Sequence, residues 1–156
     1  MNQIRSSGSA FLPAVHFCYL LPFFTPMKEF ESVHILVVED DAVTRFLNKQ
    51  ILDDERIQNT IVESGEKALE ALKTKQYNCV LMDIVMPGED GMNTVRWIRD
   101  SEDEYFRNLP IFALTSFSSE DHTKEILQAG LNGHLVKPLN VAELKKLYQS
   151  FKAHRE

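Results

Sequence analysis

From residue 33 onward, short β-branched or apolar runs alternate with stretches of helical periodicity, and few architectures accept that order. Strand, helix and strand in repetition close as right-handed βαβ units around a parallel sheet. The runs are His34 to Val38, Gln58 to Val62, Asn78 to Met82, Pro110 to Leu114 and Gly133 to Val136, the second being the weakest by pattern. Between them Val43, Phe46, Leu47 and Ile51 form one apolar helical face, Ala68, Leu69 and Leu72 a second, and Val95 and Ile98 a third. The fourth helix carries Ser118-x-x-Asp121 as a capping box, Ile126 and Leu127 as its inward stripe, and Gly130 as a stop. The fifth opens at Asn140, with Glu143 three residues on, and places Val141, Leu144, Leu147, Tyr148 and Phe151 along one side. The expectation is an α/β domain with five parallel strands and five helices.

A chain of 156 residues holds one ordinary domain of roughly 100 to 150 residues. With Lys+Arg 17 against Asp+Glu 23 the net charge is −6, which argues against a nucleic-acid surface. Cys18 and Cys79 lie far apart without metal-ligand spacing, and Cys79 falls in a strand expected to be buried; both fit a reducing cytoplasm. The segment Phe11 to Phe24 is apolar but broken by Pro13, His16 and Pro22, and it is shorter than the about 20 residues a bilayer span requires. Arg5 is the only charge before it and Phe24-Thr25-Pro26 is a poor cleavage site, so neither membrane insertion nor export is expected. Residues 1–31 read as a poorly ordered extension, with Met27 suited to be a second start, and residues 32–152 as the domain.

Open α/β sheets bind ligands beyond the carboxyl ends of their strands, and here those ends carry the chemistry. Asp83 closes the run Cys79-Val80-Leu81-Met82; Glu39-Asp40-Asp41 follows the first strand; Thr115 and Ser116 follow the fourth; Lys137-Pro138 follows the fifth. Adjacent carboxylates repel unless a cation sits between them, and Mg²⁺ favours one or two carboxylates plus waters and phosphate oxygens. Asp40 suits direct ligation and Glu39 ligation through water, while Asp41 suits capping of the helix that begins near Ala42. Asp83 alone would read as a turn residue and Lys137 alone as a surface lysine. With Thr115 at the same rim, a hydroxyl and an ammonium are available to two phosphoryl oxygens and a cation to the third, the clamp that phosphoryl transfer requires.

Ile35 through Asp41 (Ile-Leu-Val-Val-Glu-Asp-Asp), Leu81 through Gly91 (Leu-Met-Asp-Ile-Val-Met-Pro-Gly-Glu-Asp-Gly), Ala113 through Ser116 (Ala-Leu-Thr-Ser) and Val136-Lys137-Pro138 resemble, in this order, the receiver domain of two-component response regulators, including stand-alone chemotaxis regulators. The resemblance runs from about Val33 to Phe151. It implies a flavodoxin-like doubly wound sheet of order 2-1-3-4-5. By position it implies Asp83 as phosphoacceptor, Glu39 and Asp40 as the acidic pair for Mg²⁺, the Val85 backbone carbonyl as a further metal ligand, Thr115 as the switch hydroxyl and Lys137 as the phosphate-contacting amine. Asp90-Gly91 matches a structural loop. His134 stands where the family usually carries the Tyr or Phe of its switch. Val85 and Phe117, flanking the approach of water, imply slow self-dephosphorylation.

The implied role is regulatory rather than enzymatic. A histidine kinase or histidine phosphotransfer protein donates the group, and a downstream protein docks on the face built by the fourth helix, fifth strand and fifth helix. A receiver cut from a hybrid histidine kinase or larger regulator is the alternative. A haloacid-dehalogenase-class hydrolase fits less well, since Asp-x-Asp is missing after the first strand. A flavodoxin-like FMN carrier fits less well because Asp41-Ala42-Val43-Thr44 would repel a phosphate.

Overall fold

The computed structural model describes residue 30 and residues 32–86, 89–116 and 119–154, with the backbone alone at 89 and 90. The expectations for residues 1–29, with Cys18, the segment 11–24 and Met27, and those for Pro87, Phe117 and Ser118, lie outside the described residues.

The strands are β1 (His34–Val38), β2 (Gln58–Val62), β3 (Cys79–Asp83), β6 (Ile111–Thr115) and β7 (Gly133–Val136), together with a two-residue antiparallel pair, β4 (Val85–Met86) and β5 (Glu89–Asp90). The five form one parallel sheet in the order β2-β1-β3-β6-β7, which is 2-1-3-4-5 when the short pair is left uncounted. The expected doubly wound sheet is present. Burial explains why three strands were plain in the sequence and one was weak. Every residue of β1, β3 and β6 is buried, as continuous apolar runs in the middle of a parallel sheet demand. β2 is an edge strand with one exposed and four half-buried residues, so it carries little apolar signal.

The helices are α1 (Ala42–Asp54), α2 (Gly65–Thr74), α3 (Gly91–Arg99), α4 (Glu104–Asn108), α5 (Glu120–Gln128) and α6 (Val141–Ala153). One core lies between the sheet and Leu52 of α1 with Val141, Leu144 and Tyr148 of α6; the other lies between the sheet and Ala68, Leu72, Val95, Ile98 and Ile126 of α2, α3 and α5. Phe30 joins the first core, its ring edge-on to Tyr148 at 5.3 Å.

Five sequence expectations need correction. Six helices stand among the described residues where five were expected, because α4 is a single turn capped by Asp103 and too short to show a period. The apolar stripe of α1 does not face the sheet: Val43, Phe46 and Leu47 are 66%, 63% and 51% exposed, while Asn48 and Leu52 are buried. Leu127 is exposed, leaving Ile126 as the buried residue of α5. Ser119 caps α5 through His122 N, one residue beyond the capping box read from the pattern. Strands β3 and β6 also run one residue further than expected, so Asp83 and Thr115 are the last residues of strands rather than the first of loops.

Candidate functional site

Register sets the site. Val38 pairs with Met82, so Glu39, next after Val38, stands level with Asp83, and Asp83 pairs with Leu114 beside Thr115. Thr115 pairs with Val136, the residue before Lys137. The ladder continues one step past the strands, with Glu39 N donating to Val62 O at 3.0 Å and Lys137 N donating to Thr115 O at 2.8 Å. Both side chains therefore project from fixed backbone.

Lys137 Nζ donates to Glu39 Oε2 at 2.7 Å and to Asp83 Oδ2 at 2.6 Å. The other Asp83 oxygen, Oδ1, accepts from Val85 N at 2.9 Å, and Glu39 Oε1 accepts from Asp41 N at 3.3 Å. Glu39 and Asp83 are 1% and 3% exposed. Burial drives the Glu39 carboxyl above its ordinary range, against the pull of the Lys137 hydrogen bond and with the Asp83 charge adding to the rise. Burial by itself would lower the Lys137 ammonium; its hydrogen bonds to Asp83 and Glu39 outweigh that and hold it above the usual lysine value. The Lys137–Pro138 peptide is cis.

Carboxylate oxygens of Glu39, Asp40 and Asp83 all lie within 4.8 Å of one another. Asp41 is turned away. Its Oδ1 accepts from Thr44 N at 2.7 Å and Thr44 Oγ1 at 2.8 Å as the cap of α1, and those bonds hold its carboxyl below the ordinary value. Arg45 of α1 was not singled out in the sequence, yet its Nη1 donates to Glu39 O at 3.0 Å and also to Asp40 O, which fixes the acidic turn. Gly91 is needed at the start of α3 because a Cβ there would overlap the Asp83 carbonyl oxygen.

Three carboxylates gather here and one ammonium pairs with two of them, Glu39 and Asp83, so the cluster holds a surplus of negative charge in a partly dry place, with hard oxygen donors. That donor set fits a divalent cation such as Mg²⁺. Thr115, 1% exposed, ends the neighbouring strand, and its Oγ1 lies 3.1 Å from His122 Nε2 of α5. His122 is a second residue the sequence did not single out; a ring seven residues beyond Thr115 and across a turn has no periodic signature. His134 pairs with Ala113, two positions short of the Thr115–Val136 pair, and among the described residues its ring makes no hydrogen bond.

The family model for the response regulator receiver domain matches residues 35–149. The chain belongs to that family. As a receiver it is 36% identical over 130 residues to the osmosensing histidine protein kinase SLN1 of Saccharomyces cerevisiae, covering 80% of this chain and 10% of the kinase. It is 34% identical over 117 residues to the chemotaxis protein CheY-3 of Vibrio cholerae, covering 74% of this chain and 88% of that protein. The receiver thus spans about a tenth of the sensor kinases it matches and most of the smaller regulators. Among solved structures it is similar to the receiver domain of the Pseudomonas aeruginosa sensor histidine kinase PA1611, with magnesium coordinated in that protein's active-site cleft, at a TM-score of 0.66, 34% identity, and 76% and 96% coverage of the two chains. Receivers as a family are regulatory modules rather than classical enzymes, bind Mg²⁺ in their active site and interact with histidine kinases or phosphotransfer proteins. No helix among the described residues is long and apolar enough to cross a membrane.

Proposed function

We propose that residues 32–152 form the receiver unit and that Asp83 accepts the phosphoryl group. The observation that carries the reading is the buried Asp83 carboxylate, gripped by Lys137 at 2.6 Å and close to the carboxylates of Glu39 and Asp40. An Asp83 carboxylate oxygen attacks the phosphorus of a phosphohistidine, the P–N bond breaks, and the imidazole of the donor leaves with that electron pair. Lys137 passes from the carboxylate to a phosphoryl oxygen and the Thr115 hydroxyl donates to another. Mg²⁺, when bound, is held by Glu39, Asp40, Asp83 and the Val85 carbonyl, and supplies charge neutralisation for the phosphoryl oxygens. His134 remains the second candidate switch residue by position.

The donor is a histidine kinase or phosphotransfer protein of the cytoplasm. Val43, Phe46 and Leu47 on α1, the helix that follows the acidic turn, and Val85 in β4, two residues after Asp83, are exposed, and such apolar side chains suit protein contact better than approach of a small solute. The signal leaves as altered binding of a downstream protein to the face of α5, β7 and α6, and Val85, 62% exposed and apolar, offers water no hydrogen bond, so dephosphorylation is slow. A single-domain role is supported by the match along 88% of CheY-3; a receiver within a hybrid kinase is the second reading, supported by the 36% identity to SLN1. Incubation with acetyl phosphate and Mg²⁺, followed by intact mass measurement, adds one phosphoryl group to the wild type and none to Asp83→Ala. Asp40→Ala weakens Mg²⁺ binding and Asp41→Ala leaves it near wild type; the reverse order in calorimetry would refute the metal assignment.

A further inference from the structure

The Thr115 hydroxyl carries one proton, so it donates one hydrogen bond at a time. In this structure its oxygen lies 3.1 Å from His122 Nε2, and His122 is fixed in the first turn of α5 by its own backbone N–H, which donates to the capping Ser119 Oγ at 3.2 Å. The second ring nitrogen, Nδ1, faces Glu125 Oε2 at 3.8 Å, beyond hydrogen-bond length but close enough for the carboxylate to favour the proton on Nδ1. With the proton on Nδ1 the Nε2 lone pair points toward Thr115, and in that tautomer Thr115 donates and His122 accepts.

We propose that His122 is a positioning residue that engages the Thr115 hydroxyl in the unphosphorylated protein and competes with the phosphoryl group on Asp83 for its proton. The proposal rests on the reading of Asp83 as phosphoacceptor. Phosphorylation draws Thr115 away from His122, and α5 loses a tether between its first turn and the end of β6. The site is thereby coupled to α5 by a hydrogen bond that breaks when the group arrives. The coupling runs through His122 on the helix, whereas the residue marked by position in the sequence was His134 on the strand.

Beryllofluoride with Mg²⁺ serves as the phosphoryl mimic. Nitrogen-15 spectra of the imidazoles at pH 8 show His122 protonated on Nδ1 with Nε2 accepting a hydrogen bond, and saturation with beryllofluoride moves Nε2 to the position it holds in unliganded Thr115→Val. His122→Leu binds beryllofluoride about fivefold more tightly than wild type, the factor that one neutral hydrogen bond is worth. His122→Gln, which keeps an acceptor at that reach, binds near the wild-type value. Binding with the His122 ring nitrogens unmoved, or equal affinities for wild type and His122→Leu, overturns the proposal and leaves the Asp83 reading standing. No saturable binding to the wild type overturns the Asp83 reading, and the proposal with it.

Discussion

The two edges of the sheet use polar groups in opposite ways. At the amino edge neutral side chains match backbone groups in reciprocal pairs. His34 N donates to Asn78 Oδ1 at 2.7 Å while Asn78 N donates to His34 O at 2.8 Å, and Ile111 N donates to Asn132 Oδ1 at 2.8 Å while Asn132 N donates to Ile111 O at 2.7 Å. Tyr105 OH closes the same pattern, accepting from Tyr77 N at 2.6 Å and donating to Tyr77 O at 3.1 Å. Arg99 binds the carbonyl oxygens of Gly130, Phe106 and Arg107 together with Asn132 Oδ1, and so ties the end of α3 to α4 and to the start of β7. At the carboxyl edge three carboxylates meet one ammonium, and burial lifts the Glu39 carboxyl above its ordinary range. A protein selected for stability alone would replace Glu39 with a neutral residue. The amino edge closes the fold, and the carboxyl edge holds charge for something that is to bind.

The contrast can be broken most severely at Asn132. Asn132→Ala leaves the buried Ile111 N–H unpaired and removes one anchor of Arg99, a loss of about 2–3 kcal/mol that urea unfolding would measure. Phosphoryl uptake at Asp83, measured well below the unfolding midpoint, stays at the wild-type level. A folded variant that had lost uptake would show that the edges are not separable.

Glu39→Gln sharpens the contrast from the other side. The folded-state value of Glu39 is raised, so its contribution to stability is fully present below the unfolded value and is lost as pH rises through the folded one. Gln escapes that loss. The variant is therefore more stable than wild type at neutral pH, with the gain shrinking as pH falls toward the ordinary glutamate range, and it binds Mg²⁺ more weakly. Greater stability with poorer metal binding is the signature of a residue kept for its ligand.

The smallest effect belongs to His34. Burial lowers its value, the Lys75 charge adds to the fall, and a backbone hydrogen bond at Asn59 opposes it; the neutral ring faces Thr60 Oγ1 at 3.0 Å. A lowered value means that its contribution is present above the unfolded range near 6.5 and is lost as pH falls through the folded one. Urea midpoints should drop between pH 7.5 and 5.5 in the wild type and drop less in His34→Asn.

Much of this was legible in the sequence, for reasons that particular residues make plain. Asp83 and Thr115 stand out because continuous apolar runs, buried in the middle of the parallel sheet, end at them, and Lys137 because it follows the shorter run of the edge strand β7. The acidic turn was found because adjacent carboxylates are costly without a cation. The facing of α1 was misread because an apolar stripe is ordinarily a buried one, and Val43, Phe46 and Leu47 form a stripe that faces solvent instead. Asn48, which packs inward with a side-chain nitrogen lacking a partner among the described residues, looks from sequence like a solvent position. Arg45 and His122 act through a backbone carbonyl and a hydroxyl brought close by turns, and no periodicity reports such contacts.

On the proposed reading, the charge gathered at the carboxyl edge serves one covalent bond, at Asp83. An aspartyl phosphate is reduced by borohydride to homoserine, so phosphorylating the wild type, reducing it at once and sequencing its peptides by mass spectrometry reads the position of that bond directly. Homoserine is expected at position 83 and at no other acidic residue. Homoserine at Asp40 or Asp41, with position 83 still aspartate, would contradict it.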